Sequence, residues 1–113
     1  MAKSNKPLVW SLFAAGGTLA AFVAPVLVLL FVLVALGHTP AALGYASLHA
    51  LLGHWVAKLM LFGTIALFLW HAAHRLRITL HDFGVRRDSI VATTVYAIAA
   101  AGSVLSAWYL VRI

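Results

Sequence analysis

Three apolar runs separated by two short polar breaks organise the chain. The first extends from about Leu8 to Leu36 without a single charge. The second goes from about Leu48 to Leu80 and is interrupted near its start by His54 and Lys58. The third covers about Ile90 to Val111. Gly37-His38-Thr39-Pro40 ends the first run, and Phe83-Gly84-Val85-Arg86-Arg87-Asp88 divides the second from the third; glycine and proline punctuate helices in this way. About 20 apolar residues cross a hydrocarbon core of ~30 Å, so each run predicts one spanning helix. At ~1.5 Å per residue the first two exceed that core, and tilt or protruding ends are expected. Residues 41–47 are too short and too polar to span and read as a loop. The first run is about twice as long as the ~7–15 apolar residues of a signal peptide, so it is expected to stay as a helix. The expected fold is an all-α membrane protein, a single unit over 1–113 with three transmembrane helices at about 8–36, 48–80 and 90–111.

Composition agrees with that reading. The 113 residues are 65% hydrophobic and 9% charged, with a mean hydropathy of +1.05. A soluble domain carries about 25% charged residues and needs them to cover its surface. There is no cysteine, hence no disulfide and no thiolate-held iron–sulfur cluster in this chain. A net charge of +6 would point to nucleic acid in a soluble protein. Here the basic residues sit at the ends of apolar runs, where they set orientation, and no nucleic-acid partner is expected. Lys3 and Lys6 precede the first run, while residues 37–47 contain neither lysine nor arginine. Arg75, Arg77, Arg86 and Arg87 surround the second break, and Arg112 stands alone at the end. The N-terminus and second loop are therefore predicted to be cytoplasmic, the first loop and C-terminus outside. Lys58 then falls near the outer boundary, where its stem can snorkel.

The helices carry small residues at packing intervals. Gly16, Ala20 and Ala24 recur every four residues beside Gly17 and Ala21, and Ala99, Ser103 and Ala107 do so beside Gly102 and Ser106. Such stripes let helix backbones approach closely in lipid; the plain alternative is that alanine and glycine are abundant in spanning helices. Pro25 removes a donor in mid-helix and is expected to bend the first helix.

Candidate chemistry is confined to one place. Both acids, Asp82 and Asp88, lie in or beside the second loop, which argues against a proton-exchanging exporter that needs an intramembrane carboxylate. No nucleophile–base arrangement, phosphate-cradling loop or metal-ligating set is present. Histidine, arginine, tryptophan and tyrosine remain, a set suited to an uncharged, hydrogen-bonding, membrane-soluble molecule such as a quinone, or to a haem. Residues 71–82, HAAHRLRITLHD, hold three of the six histidines and two arginines. At about 100° per residue, His74 and His81 lie within ~20° of one another, His71 is ~60° from His74, and Arg75 is ~100° from it. One helical sector thus presents imidazole and guanidinium to a headgroup. The alternative is that the arginines only set topology and the histidines are interfacial.

At this point the residues resemble a known family. Lys6-Pro7-Leu8-Val9-Trp10-Ser11-Leu12-Phe13-Ala14-Ala15-Gly16-Gly17, followed by Ala24-Pro25-Val26, resembles the N-terminal signature of the fumarate reductase D subunit. Leu69-Trp70-His71-Ala72-Ala73-His74-Arg75 with His81-Asp82 is similar to that family's second helix, and Lys58 falls where the family places a basic residue. His71 is an additional histidine. The resemblance implies a membrane anchor that pairs with a second, similar three-helix anchor, the C subunit. Together these would hold an iron–sulfur subunit and a flavoprotein subunit to the inner face of the bacterial inner membrane. It implies a menaquinol-oxidising site lined by Trp10, His74 and Arg75, with His81 and Asp82 as second-tier site or interface residues. FAD and iron–sulfur clusters would reside in the partners, and any carboxylate proton acceptor would come from the partner anchor.

Two other readings compete. The small membrane anchor of succinate dehydrogenase presents a haem-ligating histidine on its second helix, followed eleven and twelve residues on by Asp-Tyr. His71 is followed at that spacing by Asp82-Phe83, which lacks the tyrosine hydroxyl. The first and third helices contain no histidine to complete an axial pair within the chain, so no haem is expected. A ligand-free structural subunit of another respiratory complex is the remaining alternative. The stripes and the half-built polar site predict that the chain expressed without partners aggregates or is degraded. A monodisperse monomer in detergent with a cooperative melt is the contrary result.

Overall fold

In the computed structural model, residues 6–113 are described; Lys3 lies outside them. Four α-helices appear: α1 (Lys6–Ala35), α2 (Tyr45–Gly53), α3 (Trp55–Asp82) and α4 (Asp88–Arg112). A single 3-10 turn, Ala41–Leu43, precedes α2. Helices α1, α3 and α4 are each long and apolar enough to cross a membrane, so the all-helical three-span architecture holds. α1 runs unbroken through Pro25.

The ends of α1 and α3 are read directly from their glycines. Gly37 has φ 84° and Gly84 has φ 89°, the left-handed conformation that glycine adopts without a Cβ penalty. Around Gly37, its own N–H donates to the Val34 carbonyl, and the His38 N–H donates to that of Leu33. The same pair recurs from Gly84 to His81 and from Val85 to Leu80. Both are Schellman caps, which satisfy the last carbonyls of α1 and α3.

The expected loop at 41–47 and the single second helix from about 48 are both corrected. The 3-10 turn and α2 occupy this stretch, and the backbone turns extended at His54 (φ −82°, ψ 129°) before α3 begins. Apolar residues stand on both sides of His54, so the pattern joined two helices into one overlong run. Gly53 weakens a helix there by about 1 kcal/mol relative to alanine. Part of the overlong run is thus a separate short helix, α2.

Helix α3 is the centre of the molecule, packed by α4 on one side and α1 on the other. Among the described residues only Gly16, Ala73, Val95, Ala99 and Leu110 are buried. Ala73, Val95 and Ala99 form the α3–α4 core, with Leu69, Val91 and Tyr96 against it. Such small residues suit a bundle held by close backbone approach. The α1 seam is tighter: a Cβ on Gly16 would stand 2.5 Å from the Leu67 carbonyl oxygen and 2.9 Å from His71 Cβ. Ala20 is half-buried and Ala24 exposed, so only the first part of that stripe packs within the chain.

Gly16→Ala should therefore destabilise the bundle by about 1–3 kcal/mol, the usual cost of overpacking against immovable backbone. Gly63, whose Cβ would meet nothing within 4 Å, is the comparison, and Gly63→Ala should be neutral or stabilising. Thermal melting of the detergent-solubilised assembly checks both, and equal melting points would contradict the packing account.

Candidate functional site

The start of α1, the end of α3 and the start of α4 meet at one end of the bundle, and His74 stands where they converge. Its Nδ1 lies 2.9 Å from the Tyr96 hydroxyl on α4. Phe13 of α1 packs on its other side at 4.6 Å between ring centroids, tilted by 54°. Tyr96 is in turn stacked on Trp70 at 5.0 Å. The Trp70 Nε1–H is buried without a hydrogen-bond partner among the described residues.

Two clefts open beside this imidazole. One, of about 430 Å³, is lined by Lys6, Val9, Trp10 and His74. The other, of about 360 Å³, lies between α3 and α4 and is lined by His74, Arg77, Ile78, His81 and Asp88. Both volumes fall in the range of ordinary small-molecule sites, about 300–1,000 Å³. His74 is the residue common to both linings.

The remaining sequence candidates are placed as follows. Trp10 shares a cleft with His74 and is 69% exposed, so its indole forms an open apolar wall. His81 lines the α3–α4 cleft. Arg75 and Asp82 are exposed and line neither cleft. His71 is a packing residue on α1: its ring stacks on Phe13 at 4.6 Å and 9°. Its Nδ1 stands 3.0 Å from the Phe13 carbonyl, which can only accept, so that nitrogen carries the proton. The imidazole lies over Gly17, where an added Cβ would be 2.8 Å from Cε1.

Sequence reasoning overlooked Arg77, Asp88 and Tyr96 as site residues. Arg77 donates through Nε to Asp88 Oδ1 at 2.8 Å and through a terminal nitrogen to Oδ2. This planar two-bond pairing fixes both groups and ties α3 to the first turn of α4. The register of the hairpin held the clue to Tyr96, since His74 and Tyr96 stand eleven residues before and after Val85.

These features define a multi-pass helical membrane protein with a polar, two-sided site at one end of its bundle. The family model for the D subunit of fumarate reductase matches residues 1–111. The fumarate reductase D subunit of Mycobacterium tuberculosis is 40% identical over 112 residues, covering 96% of this chain and 88% of the relative. Its counterpart in Aliivibrio fischeri is 34% identical over 113 residues, covering 98% and 94%. That of Vibrio parahaemolyticus is 37% identical over 99 residues, covering 86% and 79%. The chain belongs to this fumarate reductase family, whose members are a membrane subunit of the multisubunit complex.

Removing only one member of the Arg77–Asp88 pair should be worse than removing both. Arg77→Leu leaves a carboxylate without its cation at the membrane boundary, where an uncompensated charge is costly. The yield of assembled complex should fall with Arg77→Leu and recover in the Arg77→Leu/Asp88→Leu double variant. A double variant no better than the single one would show that the ion pair itself, rather than relief of a stranded charge, holds α3 to α4.

Proposed function

We propose that this chain is a membrane anchor of a quinol:fumarate reductase in the bacterial inner membrane. Together with a second three-helix anchor, the C subunit, it holds the iron–sulfur and flavoprotein subunits at the cytoplasmic face. The end carrying Lys6, Arg75, Arg77, Arg86 and Arg87 is that face, as the lysine and arginine bias of loops favours; the C-terminus lies outside. In this reading the chain also forms part of the site where menaquinol is oxidised for anaerobic fumarate respiration.

The observation that carries the reading is the cleft between α1 and α3. It offers the flat indole of Trp10 and the Val9 side chain as an apolar wall, with the Lys6 ammonium and the His74 imidazole as polar groups. That combination of flat apolar surface and cationic or imidazole donors matches a ring bearing two oxygens. Arg75 is ~100° round α3 from His74 and exposed, which aims a guanidinium at whatever the partner subunits place beside α1. From outside the cleft its charge would stabilise negative charge developing on a quinone held between this chain and its partners. FAD and iron–sulfur clusters remain in the partner subunits. His71, pinned between α1 and α3, serves packing, and no haem is held by this chain.

In the purified complex, Trp10→Leu, His74→Leu and Arg75→Leu should each lower menaquinol-linked fumarate reduction at least about tenfold. That is ~1.4 kcal/mol of transition-state stabilisation, the scale of one charge-assisted hydrogen bond for His74 and Arg75 and of a lost aromatic contact for Trp10. Fumarate reduction by a soluble dye should survive, because it bypasses the anchor. Arg86→Leu removes the same charge from the exposed loop and should retain quinol-linked turnover. Arg77 does not serve as a control, since it is committed to Asp88. Quinol-linked rates within twofold of the parent in all three variants would sink the proposal.

A further inference from the structure

Oxidation of a quinol releases two protons as well as two electrons, and the second cleft raises the question of where the protons go. We infer that His74 carries them from the α1–α3 cleft into the α3–α4 cleft of Arg77, His81 and Asp88, with Tyr96 as the residue that positions it. The inference rests on the quinol site proposed above and adds an exit route to it.

Three observations converge. His74 is the residue shared by both clefts, so a group that takes a proton in one is already exposed to the other. Its Nδ1 is held by the Tyr96 hydroxyl at 2.9 Å, which leaves Nε2 as the nitrogen for the substrate. Beyond it, the second cleft is lined by His81 and Asp88, and His81 is exposed at the last turn of α3. A neutral imidazole hydrogen-bonded through one nitrogen and open at the other is the usual form of a proton shuttle.

The step balances without an unnamed reactant. His74 Nε2 takes the proton of a quinol hydroxyl: the O–H bond breaks and an N–H bond forms. One electron leaves the quinol for the one-electron carrier of the partner iron–sulfur subunit. The imidazolium, held in place by the Tyr96 hydroxyl, then gives up a proton to water in the second cleft, which His74 also lines. His81 accepts it there and delivers it to the aqueous side. Loss of that proton returns the imidazole to its neutral form, ready for the second proton and electron. The charged and titratable groups around His74 are Lys6 from α1, His71, Arg75, Arg77 and His81 from α3, and Asp88 and Tyr96 from α4. The Asp88 carboxylate is paired with Arg77, which keeps it from trapping the proton on its way out.

The test uses the assembled complex with menaquinol as donor. Tyr96→Phe keeps the ring that stacks on Trp70 and deletes only the hydroxyl. It should lower kcat about fivefold, leave KM for quinol within twofold, enlarge the solvent deuterium isotope effect on kcat, and be partly rescued by added imidazole. His81→Gln should act in the same direction and be rescued likewise, and it carries the test alone should the Tyr96 variant fail to assemble. Tyr109→Phe, exposed near the far end of α4, should match the parent throughout. An unchanged kcat and isotope effect in both Tyr96→Phe and His81→Gln would overturn the exit route, as would a change in KM alone. The two hypotheses separate cleanly: should His74→Leu leave quinol-linked turnover intact, the quinol site itself is misplaced, whereas a slow His74→Leu beside parental Tyr96→Phe and His81→Gln removes only the exit route.

Discussion

The contact between Gly16 and the backbone of α3 at Leu67 decides how the whole chain assembles. Lipid tails are as apolar as leucine side chains, so helices in a membrane gain little from hiding hydrophobic surface and associate through close contact. Gly16 has no side chain to hold the two backbones apart. Because they approach there, Phe13 reaches the rings of both His71 and His74 at 4.6 Å. One turn further toward the N-terminus, Trp10 comes to face His74 across the same seam. The position of an aromatic wall beside an imidazole thus follows from the absence of a methyl group elsewhere on α1.

The second seam works differently. Between α3 and α4 the core of Ala73, Val95 and Ala99 is supplemented by polar pairing at the end of the hairpin. Arg77 with Asp88 and His74 with Tyr96 place each donor against an acceptor, where an unmet polar group near hydrocarbon costs several kcal/mol. The buried Trp70 Nε1–H is the exception, and its ring is stacked on that of Tyr96. One α3 helix consequently holds α1 by shape and α4 by charge, with His74 belonging to both faces.

Much of this was legible in the sequence. Hydropathy located the three spans, and the glycine-containing breaks at 37–40 and 83–88 fell where the structure has its left-handed Gly37 and Gly84. The Gly16 stripe and the Trp10 and His74 positions were visible through spacing and resemblance. The break at His54 was not, since hydropathy averages over side chains and is blind to a change of backbone direction inside an apolar run. Arg77, Asp88 and Tyr96 were missed for another reason: Arg77 and Asp88 looked complete as a topology arginine and a loop acid, and Tyr96 belongs to no motif. Their significance lies in the α3–α4 register, a pairing between distant residues that single-helix periodicity does not encode.

The two arginines of the cluster show how one charged stretch divides its duties. Arg75 and Arg77 are separated by ~200° of helical rotation, and so by ~160° the shorter way round. That offset turns Arg77 toward α4, where Asp88 neutralises it. No hydrogen bond or ion pair holds Arg75 among the described residues, and it is exposed. A spanning segment retains a guanidinium at such a position where it meets headgroups, water or a partner's polar surface. The apolar exposure of the rest of α1, including Phe22, Val26 and Phe31, continues along the helix that Arg75 adjoins. The Trp10–His74 cleft opens on the α1 side, where Trp10 is 69% exposed. A site open there is shallow in the isolated chain.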